Sequence, residues 1–189
     1  MIENFFKKVN KLNKGFTLVE TLVALSIFSM SVIAMMSILG SGISDTGYAK
    51  KKIIASYLAQ EGIEYIRNMR DNYVLYSTVS GLDWNNFKSE LVSCNEDVNE
   101  GDNKECGFTT NSPIVISKCT ADPSICKIYL NNGNYNTVSN GEDTGFTRKI
   151  WMDVIEADKE LKISSSVTWT QGSGKQSITF SENLFNWVE

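Results

Sequence analysis

The chain contains no histidine. That absence removes the imidazole base from every Ser-His-Asp or Cys-His arrangement and the nitrogen ligand from mixed zinc sites. Phosphate-binding and dinucleotide-binding glycine motifs are also missing, and the spacing of the carboxylates identifies no glycosidase pair. Lysine and arginine number 18 against 22 acidic residues, a net charge of −4 with no basic block. Such a chain offers no footprint for nucleic acid. There are two prolines, no repeat and no low-complexity tract. Catalysis by a familiar side-chain constellation therefore finds no support, and neither a metal nor a cofactor is expected. The acidic, turn-rich stretch from Glu96 to Glu105 lacks the spacing of an EF-hand and reads as a solvated loop.

What is present is concentrated near the start. From Phe16 to Leu39 the 24 residues carry one charge, Glu20, and the next follows at Asp45. As a helix this run covers ~36 Å, enough to cross a ~30 Å hydrocarbon layer. A carboxylate at that depth is costly and needs a specific partner. Before the run, Lys7, Lys8, Lys11 and Lys14 against Glu3 give residues 1–15 a charge of +3, and the rest of the chain carries −7. Positive segments beside a membrane helix stay in the cytoplasm, so the remainder is expected outside. A secretory signal has a shorter apolar core and is cut on its far side; Gly40-Ser41-Gly42 imitates such a site, but that reading leaves Glu20 unexplained.

Gly15-Phe16-Thr17-Leu18-Val19-Glu20 resembles the class III signal of type IV prepilins and pseudopilins. The resemblance implies a dedicated prepilin peptidase that cuts between Gly15 and Phe16 and methylates the new amino terminus of Phe16. It also implies that Glu20 meets the amino terminus of a neighbouring subunit during assembly. Its other implied partners are pilin or pseudopilin subunits, the assembly machinery of the cytoplasmic membrane, and that membrane before assembly. The fold it implies is α+β and type IV pilin-like, a long N-terminal helix packed on a C-terminal antiparallel sheet. Many major pilins have a proline at the position of Ser37. Its absence here, with Ala59-Gln60-Glu61-Gly62-Ile63-Glu64 and Arg67, makes the chain most similar to PilV-type or GspI-type minor subunits.

The expected organisation follows. Residues 1–15 form a cleaved leader, 16–39 the membrane-spanning and polymerising helix, and 40–189 an exported head. Within the head, 45–72 is the second half of the helix, 73–145 a variable loop region and 146–189 a β-meander. Ile54, Leu58, Glu61, Tyr65, Met69 and Tyr73, widened by Ile63 and Ile66, form the expected apolar face. Lys50, Lys51, Lys52, Glu64, Arg67 and Arg70 mostly lie away from it. Gly40, Gly42 and Gly47 mark the expected bend or melting point, since each glycine costs up to ~1 kcal/mol in a helix interior.

Alternation predicts strands over 146–154 and 161–170, then a hairpin through Gly172-Ser173-Gly174 into 176–181. Shorter candidates are 114–116 and 127–130. Leu184 and Trp187 close the apolar edge.

All four cysteines, Cys94, Cys106, Cys119 and Cys126, fall in the exported part, where disulfides form. Three pairings are open; Cys94 with Cys106 and Cys119 with Cys126 close the shortest loops.

The function expected is a structural subunit, first held in the cytoplasmic membrane and later part of a periplasmic or extracellular filament. The alternatives are a membrane-tethered adhesin or ligand-binding module and, behind it, a tethered surface enzyme.

Overall fold

A computed structural model describes residues 15–76, 83–95, 104–110 and 115–186. Helix α1 runs from Leu18 to Tyr76. It starts where Thr17 can cap it: the Thr17 hydroxyl accepts the Glu20 N–H at 3.2 Å, and the Thr17 carbonyl accepts the Thr21 N–H at 3.1 Å. Gly40, Gly42 and Gly47 are all helical, so the expected melting point is not present. Three isolated glycines are too small a penalty to open a 59-residue helix. The helix also continues past the exit expected at Asp71-Asn72.

The chain divides into two compact units, with the boundary between Thr46 and Gly47. In the first unit, the described residues are exposed along nearly their whole length, Phe16, Leu25, Phe28 and Ile38 among them. The helix is apolar and long enough to cross a membrane.

The second unit is the head. A second helix, α2 (Asp83–Glu90), leads through a short 3-10 turn (Val92–Cys94) to a seven-stranded sheet. The strands are β1 (Cys106–Phe108), β2 (Ile116–Lys118), β3 (Lys127–Asn131), β4 (Asn134–Asn136), β5 (Glu142–Glu156), β6 (Glu160–Gln171) and β7 (Gly174–Phe185). Strands β5, β6 and β7 form an antiparallel meander. One edge of β5 carries β6. The other carries β3 along its first half and β1 along its second. All pairings between named strands are antiparallel. Gly172, at φ 59°, makes the two-residue turn between β6 and β7 that the hairpin requires. Asp158, at φ 63°, does the same work between β5 and β6 at some steric cost.

The sheet buries one face against the second half of α1. Phe146, Ile150 and Met152 of β5 alternate inward, as do Leu161, Ile163, Val167 and Trp169 of β6. On α1 the buried residues are Ala55, Leu58, Ala59, Ile63 and Ile66, with Gly62 among them. This face is rotated from the expected one: Ile54, Glu61, Tyr65, Met69 and Tyr73 lie on its flank, half-buried. Small side chains explain the rotation. Ala55, Ala59 and Gly62 let the helix backbone approach the sheet closely, and the larger residues then wrap the edges of the contact.

Gly62 marks the closest point. A Cβ there would lie 2.5 Å from the Ser165 hydroxyl and 3.2 Å from Arg148 Cδ. Ser165 is wholly buried, and among the described residues its hydroxyl has no hydrogen-bond partner. Gly62→Ala gains up to ~1 kcal/mol of helix propensity but overpacks the contact by about 1–3 kcal/mol. The expected outcome is a lower midpoint of thermal unfolding by circular dichroism. Ser165→Ala removes the opposing oxygen and an unsatisfied polar group, so it restores most of that loss in the double variant.

Arg70 is buried, contrary to the exposed position expected for it: its Nη1 donates to the Phe185 carbonyl at 3.0 Å. Helix α2 also falls within the stretch expected to be variable loop. Its Trp84 and Phe87, with Leu91 just beyond it, join the core beneath α1. Ile114, Trp187 and residues 96–103 of the acidic loop lie outside the described residues. Leu184 is buried at the sheet edge.

Candidate functional site

The residues singled out by sequence lie in two places. Gly15, Phe16 and Glu20 are at the amino-terminal end of α1; the four cysteines are in the head. Gly15, Phe16 and Thr17 precede the helix, so the Gly15–Phe16 peptide bond is outside its hydrogen-bonded ladder. Phe16 is 79% exposed. A Cβ built on Gly15 meets nothing within 4 Å, and its backbone is not in the left-handed region. Among the described residues nothing therefore demands glycine at position 15.

Glu20 sits in the first turn of α1, exposed, with its backbone N–H on the Thr17 hydroxyl. The helix dipole favours a carboxylate here, because the unpaired N–H groups of the first turn carry partial positive charge. Thr17-Leu18-Val19-Glu20 has the Thr-x-x-Glu spacing of a capping box. Beyond this turn, Thr21, Ser26, Ser29 and Ser31 return their hydroxyls to carbonyls three or four residues back. These four hydroxyls are thereby satisfied within the helix, which suits a medium without water. Glu20 remains the one ionisable group of the apolar run.

In the head, Cys94 pairs with Cys106 at a Cα separation of 5.4 Å, and Cys119 pairs with Cys126 at 5.7 Å. The first bridge ties the turn after α2 to β1 within the core; the second closes the loop from β2 to β3. Gly107 lies between them, where a Cβ would come 2.5 Å from the Ile125 carbonyl and 2.7 Å from Cys126 Sγ. Among the described residues there is no cluster of acidic or cysteine side chains that would hold a metal ion.

Besides Arg70, two more arginines join helix to sheet. Arg148 projects from β5 into the contact with only 3% of its side chain exposed. It donates to Glu61 Oε2 at 2.9 Å and to the Leu58 carbonyl at 3.3 Å, and its guanidinium stands 4.2 Å from the centre of the Phe108 ring. Burial lowers its pKa, and Glu61 opposes that shift. Arg67 clasps Glu182 of β7 through Nε and Nη2 and also meets Glu64 at 2.5 Å. The hydrogen bond to Glu182 raises the Arg67 pKa. The helical period puts Glu61 on the apolar face and Glu64 and Arg67 away from it but names no partner for them; the missing signal was parity. Arg148 shares the inward register of Phe146 and Ile150, so an inward cation was legible, and an acidic partner on the facing helix was then required.

No curated protein and no solved structure matches the chain. Residues 10–36 match the family model described as the prokaryotic N-terminal methylation motif. That segment ends within the exposed apolar run and contains Gly15, Phe16 and Glu20, so the chain carries the type IV prepilin-like signal.

Proposed function

We propose that the chain is a structural subunit, a minor pilin or pseudopilin, of a type IV pilus or type II secretion-like filament. One observation carries the reading: the methylation motif opens directly into an apolar helix whose first half is exposed among the described residues. Such a surface requires lipid or other copies to cover it. Prepilin peptidase cuts after Gly15 and methylates Phe16. The subunit then waits in the cytoplasmic membrane with its head outside, until the assembly machinery extracts it. In the filament the same surface of residues 16–39 is buried against neighbouring helices.

Glu20 sets the register. A charged group at bilayer depth costs ~2.5–3.5 kcal/mol on insertion scales, and a freed amino terminus from a neighbour offsets that cost where neither charge is hydrated. A misplaced subunit leaves both unpaired. Glu20→Ala is therefore expected to insert and to be cut normally, while its content in sheared fibres falls at least ten-fold by immunoblot. Incorporation at the level of the native chain would remove the register role.

A further inference from the structure

We infer that Asn132 is a site of spontaneous covalent ageing: the Gly133 nitrogen displaces its side-chain amide, and water then leaves aspartate or isoaspartate in the turn. The chemistry does not depend on the filament reading above. The chain has two Asn-Gly pairs, Asn132-Gly133 and Asn140-Gly141. Glycine offers the least obstruction to attack by its own nitrogen, so both pairs are intrinsically reactive. As dipeptides they are identical. Any difference in their fate comes from the fold.

The first pair is open. Asn132 and Gly133 form the two-residue turn between β3 and β4, at φ 50° and 82°. Those angles belong to a type I′ turn, whose central N–H groups point outward. Both residues are exposed, and among the described residues neither the Asn132 amide nor the Gly133 N–H has a hydrogen-bond partner. A Cβ on Gly133 meets nothing within 4 Å, so a new ring has room. Strand β4 is three residues long and pairs with β3 alone among the described strands. Opening this hairpin therefore leaves the rest of the sheet in place.

The second pair is held. Asn140 Oδ1 accepts from Asn131 Nδ2 at 2.8 Å, and the Gly141 N–H donates to the Val138 carbonyl at 3.4 Å. Gly141 also lies against β3, where a Cβ would come 2.6 Å from the Leu130 carbonyl oxygen. Ring closure at this pair breaks both hydrogen bonds and crowds Leu130. The fold thus selects between two equal dipeptides.

The step needs water and no other reactant. The Gly133 nitrogen bonds to Asn132 Cγ, the Cγ–Nδ2 bond breaks, and Nδ2 leaves as ammonia with the Gly133 proton. One water then opens the five-membered imide at either carbonyl. One opening gives aspartate with the chain unchanged. The other routes the main chain through the former side chain and lengthens it by a methylene. Nothing is oxidised or reduced. A turn of two residues cannot absorb the extra atom, so the Leu130–Tyr135 pairing loses its register. Tyr135 packs against the core cluster that contains Leu58 and Ile128, and that contact loosens with it.

The native, full-length chain in detergent is incubated for weeks in mildly alkaline buffer, beside a sample unfolded in guanidinium chloride. Both are digested in acid, and fragment-ion mass spectrometry reads conversion at each asparagine. The unfolded chain gives the intrinsic rates, which should be alike at the two pairs. In the folded chain, conversion at Asn132 is expected to exceed that at Asn140 by about ten-fold or more. Hydrogen exchange in β3 and β4 should quicken in the isoaspartate fraction, with β6 and β7 unchanged. Asn132→Gln should abolish the new mass at position 132. Equal conversion at the two pairs in the folded chain, or a preference for Asn140, overturns the inference. So does a folded chain that stays intact at Asn132 while the unfolded one converts.

Discussion

Replacing Gly15 with leucine is expected to leave the chain uncut, and only the full-length mass will be recovered from membranes. A glycine in a sequence has one of two origins. Where a fold needs one, the backbone is left-handed or a neighbouring atom occupies the Cβ position, as at Gly62 and Gly172. At Gly15 neither holds, for the space around it is open. On the processing proposed above, the requirement for glycine there comes from the enzyme that reads the segment. The Gly15–Phe16 bond is already outside the helix, so cutting needs no unwinding of α1.

The native chain, expressed with the peptidase, should yield a product that begins at Phe16 and bears one extra methyl group. Gly15→Ala adds a single methyl and is expected only to slow the reaction. Gly15→Leu should reduce mature protein by a hundred-fold or more while leaving the melting of the head unchanged. If Gly15→Leu is processed like the native chain, the glycine is not read and the proposed processing loses its basis. A cut near Gly42 would favour a secretory signal instead.

The sequence announces its apolar helix plainly because the residues from Phe16 to Leu39 answer to one medium. A single period and a near-absence of charge suffice. The meander was legible for a similar reason: β6 alternates on both sides of Ser164-Ser165-Ser166, and the Gly172-Ser173 turn admits few geometries. The head's helix face was harder to read. A helical wheel weighs large apolar residues most, which points to Ile54, Tyr65 and Met69. Docking, however, is set by where two backbones come closest, and there alanine and glycine count for more than bulk. Helix α2 was concealed differently. Trp84, Phe87 and Leu91 recur at helical spacing, but over eight residues flanked by polar, turn-forming sequence the period is too short to stand out. At the amino terminus the motif and the apolar run were legible, while the Thr17 cap needed coordinates.

Removing Glu61 should destabilise the head far more than removing its arginine, although the two form one pair. Glu61→Ala leaves the Arg148 guanidinium in the helix–sheet contact without its anion, held by the Leu58 carbonyl and the Phe108 ring alone. An unpaired charge at a site this buried costs about 3–5 kcal/mol, a large share of a typical 5–15 kcal/mol folding free energy. Arg148→Met removes the charge and keeps much of the apolar length against Phe108. Its orphan is Glu61, whose side chain is 37% exposed and can be hydrated in place. That variant should lose less than about 1.5 kcal/mol, in the range of volume-conserving core exchanges.

The double variant decides whether the asymmetry has this origin. If Glu61→Ala is costly because it strands a cation, Arg148→Met in the same chain rescues it, and the pair behaves like Arg148→Met alone. If Glu61 acts instead through helix propensity or its own packing, the two losses add. Denaturant unfolding of the native chain, both single variants and the double variant gives the coupling term directly. A coupling below about 0.5 kcal/mol would show that Arg148 is not held by Glu61, and the anchoring of α1 to the sheet would then rest on its small-residue face and on Arg67 and Arg70.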